Sequence, residues 1–491
     1  MNSQSFLNRY KVVGTLTTKT PLHIGNGDVT SRGNGTTETY PWNDKQNKPV
    51  EIAAVAVDSN GAAYIPGSTL KGNIRSWLKE GFETDESFRS LFGYLEEKNG
   101  KHEGEGGKLE FLDVRCTSVP DAFMPGRSWD PKRKTCVAAS VAIDRHTKTA
   151  DADKLFHYEF VPPQIGFQLT VTAQNLDPDE LELLLLGLEG FNHGVTLGSS
   201  GGDGWGRMDW KLSEIRRLDR VGVAAWISNG AAKCAFEGFD EIPSEELTKL
   251  KESAKARASS HGLSAASASL DLVLEFDAHF LVNDGARTFK PHKPKKKRKE
   301  QEDDSIPDHA PLKTVDGKVL LPASSIRGAL RSQAERIFRT IGGSVDSTKK
   351  MPASQSDVQS LGPIDKLFGC TGWRAPLGIS DFKPIPTGEG IEVTQQFLAI
   401  DRFTGGGADG KKFDATSSYK PKLEGKLTLN FKALEYAGAG LWAIALLVFT
   451  LRDLMEGDIS LGFGSAKGYG ACRASITGFQ ISDFERVPTL F

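Results

Sequence analysis

The sequence of 491 residues lacks paired cysteines and long apolar runs. Its five cysteines are scattered and none belongs to a CxxC pair, so neither a zinc site nor a disulfide framework is indicated. The most apolar stretch, residues 440–451, is shorter than the roughly 18 residues that span a bilayer, and it predicts a core helix. The N-terminus has no apolar centre of the kind found in signal peptides. We therefore expect a cytoplasmic protein without membrane contact.

The chain also lacks an excess of positive charge. Its formal net charge is −2, so any surface for nucleic acid has to be local. One segment is strongly basic: residues 290–299 read KPHKPKKKRK, and acidic residues follow at once in residues 300–304. This segment predicts either an arm that contacts phosphates or a solvated loop whose charge blocks attract each other.

What the sequence does contain is an internal repeat. Four motifs recur in the same order: IPGSTLKGNIR at 65–75 and LPASSIRGALR at 321–331, LFGY at 91–94 and LFGC at 367–370, AIDRHTKTA at 142–150 and AIDRFTGGG at 399–407, and LGSSGGDGWGR at 197–207 and LGFGSAKGYGACR at 461–473. The period far exceeds the roughly 20–50 residues of a solenoid unit, so each copy is a whole domain. We assign residues 1–243 and 269–491 to the two domains. Residues 244–268 form the linker, read as a short helix and then a flexible segment.

The first motif predicts an amphipathic helix in each copy, because apolar residues recur at helical spacing after the proline. Ser68 and Ser324 are the expected N-caps. Basic residues four apart share one face, beside Gly72 and Gly328. We interpret this face as contacting phosphates, with something packed closely against the glycines; a solvated basic face is the alternative. The residues concerned are Ser68, Lys71 and Arg75, and Ser324, Arg327 and Arg331.

The fourth motif is rich in glycine but leads into alternating, strand-like sequence. A P-loop or dinucleotide fingerprint has to open a helix, so nucleotide binding is excluded. Bare backbone N–H groups in such a loop could instead hold a sugar–phosphate backbone, and an aromatic residue could stack on a base or pack under the loop. The candidate residues are Gly201, Gly202, Trp205 and Arg207, and Gly464, Lys467 and Tyr469.

These motifs, present twice, resemble the RAMP superfamily, specifically the backbone subunits of type III CRISPR effector complexes, here two fused in one chain. The resemblance implies an α+β fold: two tandem ferredoxin-like, RRM-related domains with loop insertions and a thumb hairpin. It implies binding of guide RNA and of complementary target RNA, and assembly with other subunits of the complex. It places the thumb after residues 143–145 and 400–402, with Arg145 and Arg402 contacting RNA at the thumb base. Strand-like sequence at 157–163 and 166–171 supports the hairpin.

The resemblance also implies an acidic residue that cuts target RNA, in the loop after the first strand. Asp28 in PLHIGNGD (21–28) stands at that position and would hold Mg²⁺ or another divalent cation, or would help to align the 2′-OH for in-line attack. Attack by the 2′-OH would leave a cyclic phosphate and a 5′-hydroxyl. His23 is a candidate for proton transfer or for shaping the loop. In the second copy, LVNDG (281–285) departs from the pattern, and Asp284 is a candidate that does not align cleanly.

Two other functions remain open from the sequence. A scaffold subunit would bind guide RNA and cut nothing. A metal-independent endonuclease that processes guide precursors would depend on general acid–base catalysis, for which His23, His146 and His157 are candidates.

Overall fold

The computed structural model describes residues 6–30, 42–43, 48–49, 51–98, 101–120, 129–143, 150–228, 239–260, 267–284, 307–314, 316–345 and 351–482. The basic and acidic segments at 290–304 therefore lie outside the described residues, as do residues 144–149 with Arg145 and His146.

The first half of the chain contains fifteen described strands and five helices. They are β1 (Asn8–Thr18), β2 (Gly25–Thr30), β3 (Trp42–Asn43), β4 (Lys48–Pro49), β5 (Ile52–Val55), β6 (Tyr64–Ile65), α1 (Gly67–Phe82), α2 (Glu86–Phe92), β7 (Gly93–Lys98), β8 (Lys101–Gly106), β9 (Leu109–Phe111), β10 (Val114–Ser118), β11 (Cys136–Ile143), β12 (Ala150–Phe160), β13 (Gly166–Gln174), α3 (Pro178–Glu189), β14 (Met208–Asp219), α4 (Arg220–Ser228), β15 (Asp240–Glu241) and α5 (Ser244–Ser260).

The second half repeats the plan with fewer additions. Its described elements are β16 (Ser267–Phe276), β17 (His279–Phe280), α6 (Ala323–Thr340), α7 (Gln355–Gln359), α8 (Pro363–Phe368), β18 (Leu377–Ile379), β19 (Lys383–Pro384), β20 (Ile391–Ile400), β21 (Gly407–Tyr419), β22 (Lys422–Asn430), α9 (Phe431–Tyr436), α10 (Gly440–Glu456) and β23 (Cys472–Ser482). Short 3-10 turns lie at Gly190–Asn192, Gly201–Asp203 and Ser465–Lys467.

Each domain is built on an antiparallel sheet with the same strand order. In the first domain β14 pairs with β1, β1 with β13, and β13 with both β9 and β10 along its other edge. In the second, β23, β16 and β22 stand in the same places, and β18 and β19 share the edge of β22. Numbered by chain order, both sheets read 4-1-3-2, which is the ferredoxin-like order. The expected fold class, two tandem ferredoxin-like domains, is confirmed.

The first repeated motif forms the helix that covers each sheet. In α1 the apolar face buries Leu70, Ile74, Leu78 and Phe82. In α6 the counterparts Ile326, Leu330 and Ala334 are buried and Phe338 is half-buried. Each fully buried side chain of this size stabilises the fold by roughly 1.5–3 kcal/mol. The helix therefore fixes the orientation of the basic face next to it.

The helix starts differ from the sequence prediction. Pro66 and Pro322 occupy the N-cap positions, and Ser68 and Ser324 lie inside the first turn without capping it. Side chains from distant parts of each domain bond the free N–H groups instead. Asp113 accepts from the N–H of Gly67 at 2.9 Å, and Asp381 accepts from that of Ala323 at 2.9 Å. A fixed proline φ before the helix leaves this capping role to a distant carboxylate.

A long hairpin projects from each domain. In the first, β11 and β12 form one sheet with β5 and β2; in the second, β20 and β21 are joined by β17. The sequence predicted such a hairpin but placed residues 166–171 in it, whereas these residues belong to the core strand β13.

The two domains contact each other through the Gly-rich loop of the first. Arg207 donates to the carbonyl of Ile379 at 3.2 Å, and Arg327 of α6 donates to the carbonyl of Gly202. The helix α5, within the segment predicted to be a linker, packs on α3 of the first domain. Within the described residues, no helix is both long and apolar enough to cross a membrane.

Candidate functional site

The Asp28 loop is a bulge at the exposed edge of the sheet that carries the first hairpin. Between Gly25 and Val29 the register of β2 against β5 shifts, which pushes the intervening residues out of the ladder. The N–H of Asp28 donates to the side chain of Asn26 at 3.0 Å, and the Asn26 amide donates back to the Asp28 carboxylate at 2.6 Å. Gly27 has φ +85°, a conformation that suits glycine. The carboxylate is thus exposed and held in one orientation.

Asp28 faces a shallow depression of about 460 Å³. The described residues that line it are Asn26, Gly27, Asp28, Val29, Thr30, Ala54, Val55, Val57 and Arg133. Among these, Asp28 is the one carboxylate and Arg133 the one cation. A negative and a positive side chain therefore line the same open depression.

A buried glutamate holds Arg133 in place. Glu159 is fully buried, and its two oxygens accept from Arg133 Nε at 2.6 Å and Nη2 at 2.7 Å. The same carboxylate accepts from Thr135 Oγ1 at 2.7 Å and from the N–H of Val55 at 3.1 Å. Bidentate pairing of this kind fixes the guanidinium plane as well as its charge.

His23 is tied to the same network through the backbone. Its Nδ1 lies 2.6 Å from the carbonyl oxygen of Glu159, so Nδ1 is the donor. In the neutral ring Nε2 is then the acceptor nitrogen, and it faces the backbone of Gly25. This bond orients the ring and anchors the start of the Asp28 loop; proton transfer by His23 stays a prediction.

The second domain does not place Asp284 where Asp28 lies. The carbonyls of His23 and Leu281 accept equivalent bonds from the Gly-rich loops, from Ser199 at 2.9 Å and Phe463 at 2.6 Å. Counted from this pair, Asp284 corresponds to Asn26, and the counterpart of Asp28 falls outside the described residues. The N–H of Asp284 donates to the carbonyl of Ala310 at 2.9 Å. A catalytic role for Asp284 stays a prediction.

The basic helix residues of both copies donate to carbonyls of their own domain. The four bonds run from Lys71 to Leu109 at 3.0 Å, from Arg75 to Gly93 at 3.2 Å, from Arg327 to Leu377 at 2.9 Å and from Arg331 to Gly369 at 2.6 Å. The acceptors are equivalent: the first residue of β9 or β18, and the glycine of the LFG motif. The repetition of these cations therefore has a structural cause.

The two helix faces differ in what covers them. Arg327 is buried, at 8% exposure, under the Gly-rich loop of the first domain. In α1, Ser68, Gly72 and Arg75 are exposed. Burial lowers the pKa of Lys71, and the nearby charge of Arg75 adds to that effect. A Cβ at Gly72 or Gly328 would meet no described atom within 4 Å, so none of the described residues provides the close packing predicted at these glycines.

The Gly-rich loops lead into strands β14 and β23, as predicted. Gly206 and Gly470 adopt φ of +70° and +77°, and a Cβ there would collide with the carbonyl of Leu197 or Leu461. In the first loop, Gly202 and Arg207 contact the second domain, and Gly201 begins the 3-10 turn. In the second loop, Lys467 Nζ lies 5.5 Å from the ring of Phe463 and Gly464 packs on Tyr469.

The aromatic residues of these loops pack against the hairpins. The ring of Trp205 lies 5.3 Å from that of Tyr158 and 5.6 Å from that of Phe160, both on β12. Tyr469 is buried, stacks on His279 at 4.9 Å and donates to Gln395 on β20. Each Gly-rich loop is therefore joined to the base of its hairpin, and stacking of these two rings on RNA bases stays a prediction.

The Ile-Asp-Arg motif lies at the tip of the second hairpin, not at its base. Asp401 accepts from the N–H of Phe403 at 2.8 Å and of Thr404 at 2.9 Å, which closes the turn and lowers the pKa of Asp401. Arg402 and Phe403 are thereby presented at the end of the hairpin, and Phe403 is fully exposed. The base lies at the other end, where β21 pairs with β17.

Three residues of the site were missed from the sequence. Arg133 and Glu159 carry no motif, although Glu159 is a charged residue at an inward position of a strand, which was a usable signal. Phe403 follows the repeated Ile-Asp-Arg, and an aromatic residue in a turn was the signal there.

Comparison with known proteins identifies one family. The family model described as "RAMPs: RAMP superfamily" matches residues 15–209 and 226–473, which together cover most of the chain. No curated protein matches the sequence.

Proposed function

Because the chain belongs to the RAMP superfamily, with two tandem domains, we propose that it is a backbone subunit of a type III CRISPR effector complex that cleaves target RNA. Membership itself indicates a CRISPR-associated, RNA-binding subunit that acts in a multi-subunit complex. We further propose that the chain cleaves RNA with a divalent metal ion, that its complex is of type III and that it acts in the cytoplasm. The main observation in support of this function is that the exposed carboxylate of Asp28 lies in the same depression as Arg133.

The donor set at Asp28 fits a hydrated Mg²⁺. This ion is often held by one or two carboxylates, with water and substrate phosphate as its other ligands. Asp28 would hold it, and the ion would act as a Lewis acid on the scissile phosphate. Among the described residues that line the depression, Asp28 is the single carboxylate, which suits a cation that arrives with the RNA.

Arg133 supplies the second contact to the phosphate. Its guanidinium is kept charged and oriented by Glu159, so no reorganisation is needed when negative charge develops on the phosphate. The 2′-OH of the preceding nucleotide is the attacking group. His23 has a positioning role, since its ring anchors the loop to the carbonyl of Glu159.

The first hairpin and the Asp28 loop belong to one sheet, in the order β11-β12-β5-β2. A hairpin that crosses the guide–target duplex would therefore set the distance from its tip to the cut. In the second domain the tip presents Phe403, and an apolar ring of this kind can wedge between base steps. The cutting positions would thus be fixed by the protein rather than by RNA sequence.

Guide RNA would run over the surfaces that the two domains leave open. These are the exposed face of α1 at Ser68, Gly72 and Arg75, and the Gly-rich loop of the second domain. Arg327 and Arg207 are engaged at the contact between the domains, so their part is to hold the two domains in register.

The experiment is a cleavage assay on the complex assembled with its guide. Asp28→Asn is compared with Asp240→Asn, an exposed aspartate on the outer strand β15, using end-labelled complementary RNA with Mg²⁺ or with EDTA. We expect Asp28→Asn to abolish one cut and EDTA to abolish every metal-dependent cut, that one included, while target binding is unchanged in Asp28→Asn. An unaltered pattern of cuts in Asp28→Asn would assign a scaffold role to the first domain. Cleavage of guide precursor that survives EDTA would favour the metal-independent processing enzyme.

A further inference from the structure

The outer face of α10 is apolar and exposed. Leu441, Val448 and Phe449 are 65%, 57% and 47% exposed, and Trp442 lies beside them. Their spacing places them on one side of the helix, while the opposite side packs on α6 and β23. A helix that is apolar all round is normally buried all round. Within the part of the chain that the structure describes, these side chains stay exposed, although the guanidinium of Arg452, on α10 itself, lies 5.4 Å from the ring of Phe449.

The internal repeat shows what the same face does in the first domain. Leu197 and Leu461 open the two Gly-rich loops and make equivalent bonds, donating to the carbonyls of Gly206 and Gly470 at 2.9 Å. Counted back from this pair, Val448 corresponds to Leu184 and Phe449 to Leu185. Leu184 and Leu185 are 0% and 4% exposed. Both positions are thus buried in the first domain and exposed in the second.

Two helices that flank α3 in the chain, α2 and α5, pack on it, and of these α5 has no described counterpart in the second domain. This helix of 17 residues packs on α3, and its Leu247, Leu250 and Ala254 join the core cluster that contains Leu184 and Leu185. Its far end is fixed by Arg257, which donates to the carbonyl of Asp179 at 3.1 Å. In the first domain the face is therefore covered by an amphipathic helix that follows the core fold in the chain.

We infer that the outer face of α10, formed by Leu441, Trp442, Val448 and Phe449, is a docking surface for an amphipathic α-helix of a partner protein. The partner's helix packs on α10 as α5 packs on α3, with its apolar stripe against Val448 and Phe449. The two aromatic side chains suit this role, because tryptophan and other aromatic residues dominate the energy of many protein interfaces. The inference does not depend on the proposed nuclease activity.

The test uses a peptide of residues 243–261 as the probe, because this helix fits the equivalent face. The fluorescent peptide, with blocked ends, is titrated with the full chain and followed by anisotropy. We expect saturable binding, weakened about tenfold or more by Val448→Glu with Phe449→Glu. The matched control is Ile391→Glu with Leu398→Glu, two exposed apolar residues of β20, which should leave binding unchanged. A peptide with Leu247→Asp and Leu250→Asp should not bind.

Two results would overturn the inference. One is the absence of saturable binding up to the solubility limit of the peptide, or equal binding by the Val448→Glu, Phe449→Glu variant. The other is a dimer of the full chain in sedimentation velocity that this variant dissociates, since a second copy would then be the occupant. Circular dichroism of each variant checks that the fold is retained, as expected for substitutions at exposed positions.

Discussion

Replacing Glu159 by glutamine tests whether the buried network behind the site also stabilises the first domain. Both oxygens of Glu159 bond the guanidinium of Arg133, and they also accept from Thr135 and from the N–H of Val55. Glutamine keeps the shape of the side chain but removes its charge. It also turns one acceptor into a donor that faces another donor. The guanidinium of Arg133 loses the negative charge of Glu159 in a largely buried place.

The expected loss of stability is about 3 kcal/mol. Removing one partner of a buried ion pair typically costs about 3–5 kcal/mol, and the lower end applies because the Arg133 side chain is 21% exposed to water. For a domain of this size, about 1 kcal/mol corresponds to about 2–4 °C in Tm, so the first-domain transition should fall by about 6–12 °C. The Arg89–Glu96 pair lies at the surface, so Glu96→Gln should change stability by less than about 1 kcal/mol.

Scanning calorimetry of the full chain measures this, with Glu96→Gln as the control. Target cleavage is then measured at a temperature where both variants are folded. We expect Glu159→Gln to lower cleavage together with Tm, because Arg133 loses its orientation. A Tm shift no larger than that of Glu96→Gln would refute the argument that this network is buried and charged.

Three further predictions address the contact between the domains and the second hairpin. Arg327→Met should cost about 2 kcal/mol in urea unfolding, because the buried carbonyl of Leu377 and the half-buried carbonyl of Gly202 lose a charged donor. Arg336→Met on the exposed side of α6 should have little effect. Burial raises the pKa of Asp381 above its ordinary value of 3.8. The folded state therefore becomes less stable relative to the unfolded state as pH rises from 3.8 through the pKa of the folded state, because the buried carboxyl group then has to ionise. Asp381→Asn should therefore be more stable than wild type at pH 7, and the gain should disappear below pH 3.8; a gain that grows on acidification would contradict this. Phe403→Ala should slow target cleavage at the second hairpin about tenfold without weakening guide binding, and equal cleavage rates would exclude the wedge.

Elements that are determined by a local sequence pattern were predicted correctly. Alternation after the Gly-rich loops correctly gave β14 and β23, and helical spacing after the prolines gave α1 and α6. These patterns are local because each reflects the burial of one face.

The partners of charged residues were not predictable in the same way. A pair of cations four apart has the same pattern whether it meets a phosphate or a carbonyl, and here Arg75 and Arg331 meet the glycine of the LFG motif. The contact of Arg327 with Gly202 joins residues far apart in the chain, so no local signal contains it. Likewise, the motif at 400–402 marked a hairpin, but only strand pairing shows that it forms the tip.

The measurement that tests the account most directly is metal rescue at Asp28. In the assembled complex, Asp28→Cys is assayed for target cleavage with Mg²⁺ alone and with added Mn²⁺ or Cd²⁺, beside Asp240→Cys. A thiolate binds Mg²⁺ poorly and softer cations well, so we predict loss of one cut in Mg²⁺ and its return with the softer cation in Asp28→Cys alone. Cleavage by Asp28→Cys at the wild-type rate in Mg²⁺ would contradict the claim that RNA cleavage depends on a metal ion held by this carboxylate.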